Sequence, residues 1–304
     1  MINIIWNITR KCPWSCSFCC VNAIYQKTQS REFIGELTFK EKLKFILTLK
    51  RGEYSIDFSG GEIFINPDNI EIVKQAGLHL GKENIGISLS GAFLTEEIIK
   101  ELANYINDVE FTMDTIPETI YKYRQQEYHI TSDKAIKLFK KYGVKVGIQT
   151  VLTKENTNLK NFVELDNYVV KNNIDVWSLL KFFPNGRGKN FNNLILDKNE
   201  LELIIEKVLK ISDGKEYKLD VQYMLPKTSK ENTCRAVKKS IGILPTGEVV
   251  ACFWALNENM EPIDKLYSLG NIKFQTIEDI LNSTNSKYWK EQKSCLLYYE
   301  EDIE

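Results

Sequence analysis

The sequence predicts an α/β protein: a partial (β/α)6 barrel over residues 1–215, followed by a small C-terminal domain over residues 216–304. Three observations carry this. Short β-rich runs alternate six times with amphipathic stretches, a cysteine cluster follows the first run at once, and the texture changes near residue 215, beyond which a hairpin and further cysteines appear. Alternation with short connections implies parallel strands joined by right-handed crossovers. A doubly wound open sheet shares that pattern, so the motifs must choose between the two.

The elements follow in order. Ile2, Ile4, Ile5, Trp6 and Ile8 lie among short polar residues and make a strand over 2–9. Further strands are expected at 54–58, 85–90, 109–113, 144–151 and 174–182. The helices between them span 38–50, 68–80, 95–107, 131–142 and 158–172, and another covers 197–211. Thr95 before Glu96-Glu97 is an N-cap followed by acids that suit the positive end of a helix dipole. Thr131 or Ser132 opens the next helix, and Gly143 stops it as a C′ glycine. The C-terminal part reads as a hairpin near 241–252, turning at Pro245-Thr246-Gly247, and a helix near 276–290.

The apolar fraction of 43% and the 27% of charged residues are those of an ordinary soluble chain. A formal net charge of -1 gives no electrostatic preference for nucleic acid or an anionic membrane. No apolar run approaches the roughly 20 residues of a membrane helix. The first strand is too short for a secretory signal and lacks a basic region. A cytoplasmic location is therefore expected, with neither nucleic acid nor membrane as partner. In a reducing compartment, clustered thiols bind metal or catalyse more often than they form disulfides. The seven cysteines fall into two groups: Cys12, Cys16, Cys19 and Cys20, then Cys234, Cys252 and Cys295. With only two histidines, mixed zinc sites have little to draw on.

Cys12-Pro13-Trp14-Ser15-Cys16-Ser17-Phe18-Cys19 has the spacing C-x3-C-x2-C directly after the first strand. Three thiolates on a short loop hold three irons of a [4Fe–4S] cube and leave the fourth open to a small molecule. A zinc site on all four cysteines is the alternative, but adjacent Cys19 and Cys20 seldom both reach one tetrahedral ion. Cys20 itself reads most simply as a small core residue. Ser59-Gly60-Gly61-Glu62 follows the second strand; paired glycines permit close backbone approach, and a carboxylate pairs with an ammonium group.

These motifs resemble the radical S-adenosylmethionine superfamily. The resemblance implies that Cys12, Cys16 and Cys19 hold a [4Fe–4S] cluster whose open iron takes S-adenosylmethionine, and that reductive cleavage yields a 5′-deoxyadenosyl radical. It also chooses the partial barrel. Phe18 stands where the family packs an aromatic ring near the adenine, and Gly60, Gly61 and Glu62 match the segment that contacts the cofactor's amino group. Ser90, with Gly91, ends the third strand where relatives usually carry Asn-Gly. Thr112 and Asp114, with Arg124 ten residues on, resemble a pattern of peptide-modifying members that reaches the ribose or methionine end, although strand-end polar residues also serve as helix caps. Arg187, in Phe183-Pro184-Asn185-Gly186-Arg187-Gly188, either binds a carboxylate or is a solvated loop arginine.

Cys234, Gly247 and Cys252 give C-x12-G-x4-C across the hairpin, similar to the opening of SPASM and twitch domains. The resemblance implies one auxiliary iron–sulfur cluster on Cys234, Cys252 and Cys295. The full set of later cysteines is missing, since Leu296-Leu297-Tyr298-Tyr299 follows instead. The function implied is modification of a ribosomally made peptide by cross-linking, thioether formation or epimerisation, with Cys20 a candidate hydrogen donor for the last. A flavodoxin or ferredoxin is the expected electron donor, and a separate leader-peptide-binding protein a further partner. Small-molecule chemistry on a sugar, alcohol or nucleotide is the rival reading. For a cyclase of that kind, the acidic end Glu300–Glu304 replaces a glycine- and arginine-rich tail. A non-enzymatic electron carrier is the third reading, and it leaves Gly-Gly-Glu without a purpose.

Overall fold

The computed structural model describes residues 1–31, 34–222 and 234–297. Tyr298, Tyr299 and the acidic end lie outside the described residues. Six strands lie side by side and parallel: β1 (Ile2–Thr9), β2 (Tyr54–Gly60), β3 (Ile85–Leu89), β4 (Asp108–Thr112), β5 (Lys145–Leu152) and β6 (Val176–Lys181). Each is followed by one helix: α1 (Phe39–Thr48), α2 (Asp68–Leu80), α3 (Glu96–Leu102), α4 (Gln126–Lys141), α5 (Leu159–Lys171) and α6 (Lys198–Ser212). This is the large parallel sheet of a partial (β/α)6 barrel.

The sheet continues past both edges of the six. β7 (Lys218–Val221) pairs parallel with β6, and β8 (Ser240–Ile243) pairs parallel with β1. β9 (Glu248–Val250) and β10 (Ser268–Asn271) then add antiparallel. One ten-stranded sheet results, in the order β10-β9-β8-β1-β2-β3-β4-β5-β6-β7. The sheet thus runs through both stretches that the sequence separates at residue 215. The reason lies in β8: its Ile241, Gly242 and Ile243 are buried, and pairing with β1 satisfies an edge that would otherwise stand open.

Three boundaries differ from the sequence expectation. α4 begins at Gln126, so Thr131 and Ser132 lie inside it; Ser132 Oγ donates to the carbonyls of Tyr128 and Ser90, 3.1 Å each. Burial of Tyr128 and His129 draws that extra turn into the helix. α3 stops at Leu102, where Ala103 caps it. The last helix is two, α7 (Ile277–Leu281) and α8 (Thr284–Glu291), because Ser283 accepts from the Ser286 amide and restarts the chain as an N-cap.

Alternation along the strands separates two faces. Outward, Ile4, Trp6 and Ile8 are fully buried, and Trp6 meets Phe45 of α1 and Phe58 of β2 at 5.3 and 5.6 Å. Inward many of the side chains are polar, although Ile5, Val151 and Leu180 share that face. Asn3 donates to Asp57 (2.6 Å), Ser59 to Asn7 (2.7 Å) and Gln149 to Glu110 (2.5 Å). Burial, with Asp57 and Asp108 nearby, pushes the Glu110 carboxyl up to about 7. Closed barrels fill this space with branched apolar side chains. Here the inner face is left wettable, beneath the strand ends where the motifs gather.

Candidate active site

The loop after β1 carries the first three thiols. It starts with a two-residue parallel ladder, Lys11–Cys12 against Ile24–Tyr25, so residues 12–24 form a closed excursion. Cys12 and Cys16 are buried, Cys19 half-buried. Burial pushes the Cys12 thiol well above the ordinary range, and the Glu62 carboxylate, then Cys16 and Cys19, push it further. The Cys16 thiol is raised by burial too, with the Arg124 guanidinium opposing the shift. Thiols crowded in this way ionise only against a strong cation, which an iron–sulfur core supplies. Each thiol already has a donor: the Trp14 amide to Cys12, Arg124 Nη1 to Cys16 Sγ (3.4 Å) and the Ala23 amide to Cys19 Sγ (3.5 Å). Among the described residues no group of three Cys, His, Asp or Glu side chains is arranged to hold a single metal ion. A cube, binding one thiolate per iron, spreads its ligands wider.

Gly60 and Gly61 bring β2 against this loop. A Cβ on Gly60, whose φ is +129°, would lie 2.4 Å from the Thr9 carbonyl oxygen, and one on Gly61 2.1 Å from that of Lys11. The Gly61 and Glu62 amides donate to those same carbonyls, 2.8 Å each. Glu62 is thereby fixed with no solvent exposure. Its Oε2 accepts from the Ser90 amide (2.9 Å) and the Ser90 hydroxyl, while Oε1 is buried with no partner. Burial pushes its carboxyl up to about 7. A buried carboxylate with one orphan oxygen beside three thiols fits an ammonium group of a ligand seated there. Ser90 also accepts from Trp14 Nε1 at 2.6 Å, so it fixes Glu62 and the cysteine loop together.

Several expected contact residues are engaged by the protein itself. Asp114 is fully buried; its Oδ2 pairs with Arg124 Nε and its Oδ1 accepts from the Val151 amide at 3.1 Å. Arg124 lies over the rings of Phe18 (5.1 Å) and Tyr128 (4.9 Å). Thr112 hydrogen-bonds the Tyr128 hydroxyl. Phe18, 5% exposed, packs among Tyr121, Tyr123 and Phe182. Arg187 is no solvated loop arginine: Nε donates to the Cys16 carbonyl (2.9 Å) and Nη1 to that of Ala23 (2.6 Å). Cys20 is not a core residue either. It is exposed, and desolvation by the surrounding protein, with Cys19 beside it, pushes its thiol up to about 12. Trp14, Tyr128 and Asn22 were not singled out in the sequence; the position of Trp14 inside the cysteine loop was the available signal.

The second group also converges. Cys252 is pushed up to about 12 by burial, with Cys295 and Cys234 adding to the shift and the Trp254 and Ala255 amides bonding to it in opposition. The Cys234 amide donates to the Lys293 carbonyl (3.3 Å), holding the two ends of this group together. The residues present therefore fit a second cluster with three cysteine ligands.

Comparison with known proteins agrees with this geometry. The family described as the Radical SAM superfamily matches residues 6–165, and the iron-sulfur cluster-binding domain SPASM matches residues 234–298. The tungsten-containing aldehyde ferredoxin oxidoreductase cofactor-modifying protein of Pyrococcus furiosus is 26% identical over 93% of this chain and 81% of its own. The antilisterial bacteriocin subtilosin biosynthesis protein AlbA of Bacillus subtilis is 23% identical over 96% of this chain and 62% of its own. The Streptococcus suis SuiB structure bound to precursor peptide SuiA superposes with a TM-score of 0.73 at 16% identity, covering 94% of this chain and 65% of that one. This chain thus spans less than two thirds of AlbA and SuiB.

Proposed function

Because the chain belongs to the radical S-adenosylmethionine superfamily and carries a SPASM match, we propose that this enzyme uses Cys12, Cys16 and Cys19 to hold the cofactor-binding cluster and modifies a peptide. The observation that carries the site is the orphan Oε1 of buried Glu62 beside those three thiols. When bound, a [4Fe–4S] cluster with S-adenosylmethionine supplies the 5′-deoxyadenosyl radical that removes a hydrogen from the substrate. The protein supplies the positioning. Glu62 Oε1 would receive the cofactor's ammonium, and Ser90 fixes the carboxylate by two bonds to Oε2. Arg124 holds Cys16 against Asp114, and Phe18 packs on the other side of that guanidinium. The polar inner face beneath gives the substrate a wettable seat, and the loops after the strands exclude competing water from the radical.

The peptide reading draws support from AlbA, whose name places it in bacteriocin biosynthesis, and from the structure of SuiB bound to the precursor peptide SuiA. In this reading Cys234, Cys252 and Cys295 hold an auxiliary cluster, within a C-terminal unit over 216–304. The electron donor is a flavodoxin or ferredoxin, and the compartment is reducing, in keeping with seven cysteines that form no disulfide. Among the described residues no helix is long and apolar enough to cross a membrane. For an epimerisation, Cys20 is the hydrogen donor: a thiol held up to about 12 stays S–H at neutral pH, the form that returns a hydrogen atom. Small-molecule chemistry is the second reading, and the name of the Pyrococcus relative, a cofactor-modifying protein, favours it.

The test is oxygen-free reconstitution with iron counting and measurement of deoxyadenosine, alone and with peptides encoded beside the gene. Eight irons, about four per cluster, with peptide-stimulated cleavage is the expected result. Cys12→Ala is expected to abolish cleavage; normal deoxyadenosine from that variant refutes the assignment. Stimulation by small molecules alone replaces the peptide reading with its rival.

A further inference from the structure

The two cysteine groups are joined by a single polar knot, and its centre is Asn22. This residue adopts a left-handed backbone (φ 42°) just past Cys20, and its amide donates to the Cys19 carbonyl at 3.1 Å. Its side chain faces away from the first group, toward the loop that follows Cys252. Nδ2 donates to the Glu258 carbonyl at 2.5 Å, and Oδ1 accepts from Arg187 Nη1 at 3.4 Å. Arg10 repeats the bridge from the opposite flank, donating to the Asn259 carbonyl (3.2 Å) and to that of Asn22 (3.3 Å). Asn185, two residues before Arg187, donates to the Trp254 carbonyl at 2.6 Å.

The partners on each side are the residues that shape the thiols. Arg187 binds the carbonyls of Cys16 and Ala23 through its side chain and that of Cys19 through its amide (3.1 Å). The Ala23 amide is the one that addresses Cys19 Sγ. Across the knot, the Trp254 and Ala255 amides bond to the Cys252 thiol. An apolar contact backs the polar ones: Val21 packs against the small cluster of Leu244, Val250, Leu256 and Met260. Neither loop moves without breaking bonds in the other.

We propose that Asn22, with Arg10 and Arg187, couples the two cysteine groups, so that a cluster on Cys234, Cys252 and Cys295 orders the Arg10–Ile24 loop around the first. Asn22 is a positioning residue: it touches neither cluster but sets the backbone that carries Cys19 and Ala23. Coupling between sites is reciprocal, so a cluster in the first loop equally orders residues 252–260. This inference rests on the proposal that both groups bind clusters, and iron content separates the two.

The experiment measures backbone hydrogen exchange, iron content and the reduced-cluster electron paramagnetic resonance signal in the reconstituted full chain. Wild type, Cys252→Ala, Asn22→Gly and the double variant complete a cycle. Glycine keeps the left-handed backbone and removes only the side-chain bridge. Cys252→Ala is expected to lose about half the iron and to raise exchange across residues 10–24 by roughly 5- to 150-fold, the usual range of such coupling. Asn22→Gly is expected to keep the iron of both clusters, to change the resonance signal of the first, and to abolish the further effect of Cys252→Ala. Unchanged exchange across 10–24 when Cys252→Ala loses its iron overturns the coupling and leaves both clusters standing. Additive effects in the double variant overturn the role of Asn22. Four irons in the wild type remove the second cluster, and the coupling falls with it.

Discussion

Replacing Glu62 with glutamine is expected to stabilise the iron-free protein while disabling it. Glu62 is fully buried; Ser90 satisfies one carboxylate oxygen, while Oε1 has no hydrogen-bond partner and only the Phe64 and Ala92 amides nearby ease the carboxylate's burial. Its carboxyl is raised from 4.5 to about 7, chiefly by burial. At about 1.36 kcal/mol per pH unit, ionisation inside the fold costs about 3 kcal/mol. The native state holds an extra proton between the two values, so stability falls as pH rises from 4.5 to about 7, and the full cost is present above that. The glutamine side chain keeps an oxygen for the Ser90 donors and carries no charge. The advantage of Glu62→Gln over the wild type is therefore near zero around pH 4.5 and grows to about 3 kcal/mol at pH 8. With roughly 2.1 cal/mol/K of unfolding entropy per residue over 304 residues, that is a melting shift of about 5 °C. Urea unfolding of both iron-free proteins, reduced and oxygen-free, at several pH values reads the difference directly. A difference that does not grow with pH, or a glutamine variant less stable at pH 8, refutes the reasoning. After reconstitution the same variant should lose most cofactor cleavage, since an amide cannot neutralise an ammonium.

Gly61→Ala places a Cβ 2.1 Å from the Lys11 carbonyl oxygen, and backbone cannot yield as a flexible side chain does. A loss of at least about 1–3 kcal/mol, with poor iron loading, is expected by denaturant titration and iron assay; a variant of wild-type stability contradicts the geometry. Arg124→Leu leaves Asp114, 0% exposed, without its cation and should cost about 3–5 kcal/mol. Adding Asp114→Asn should recover part of that, and failure to recover any places the loss in packing against Phe18 and Tyr128 instead. Cys20→Ala should leave deoxyadenosine formation intact and alter only the product, as product analysis reads; loss of cleavage gives Cys20 a different role.

The six strand–helix units were legible because each strand is a short β-rich run and each helix a separate amphipathic stretch, signals that local periodicity carries. The boundary of α4 was not, because its first turn is held by burial of Tyr128 and His129, and burial is a tertiary property. The thiol spacings and Gly-Gly-Glu were equally readable, since a short loop must bring nearby ligands together wherever it sits.

What the sequence determined by itself was therefore the spacing of the two thiol groups, the glycine pair and the parallel α/β order. Only the tertiary structure decided how the neighbouring polar residues are used. Asp114 and Arg124, expected at the cofactor, form a buried ion pair that meets Cys16. Arg187, read as a carboxylate binder or a free arginine, spans 171 residues of chain to hold the Cys16 carbonyl, and its Nη2 is buried without a partner. The pairing of β8 with β1 closes the chain back on its own start, and the knot at Asn22 that follows from it joins residues 236 positions apart. Such contacts depend on which buried polar groups find partners once the chain is packed, a long-range condition that no local pattern of residues expresses.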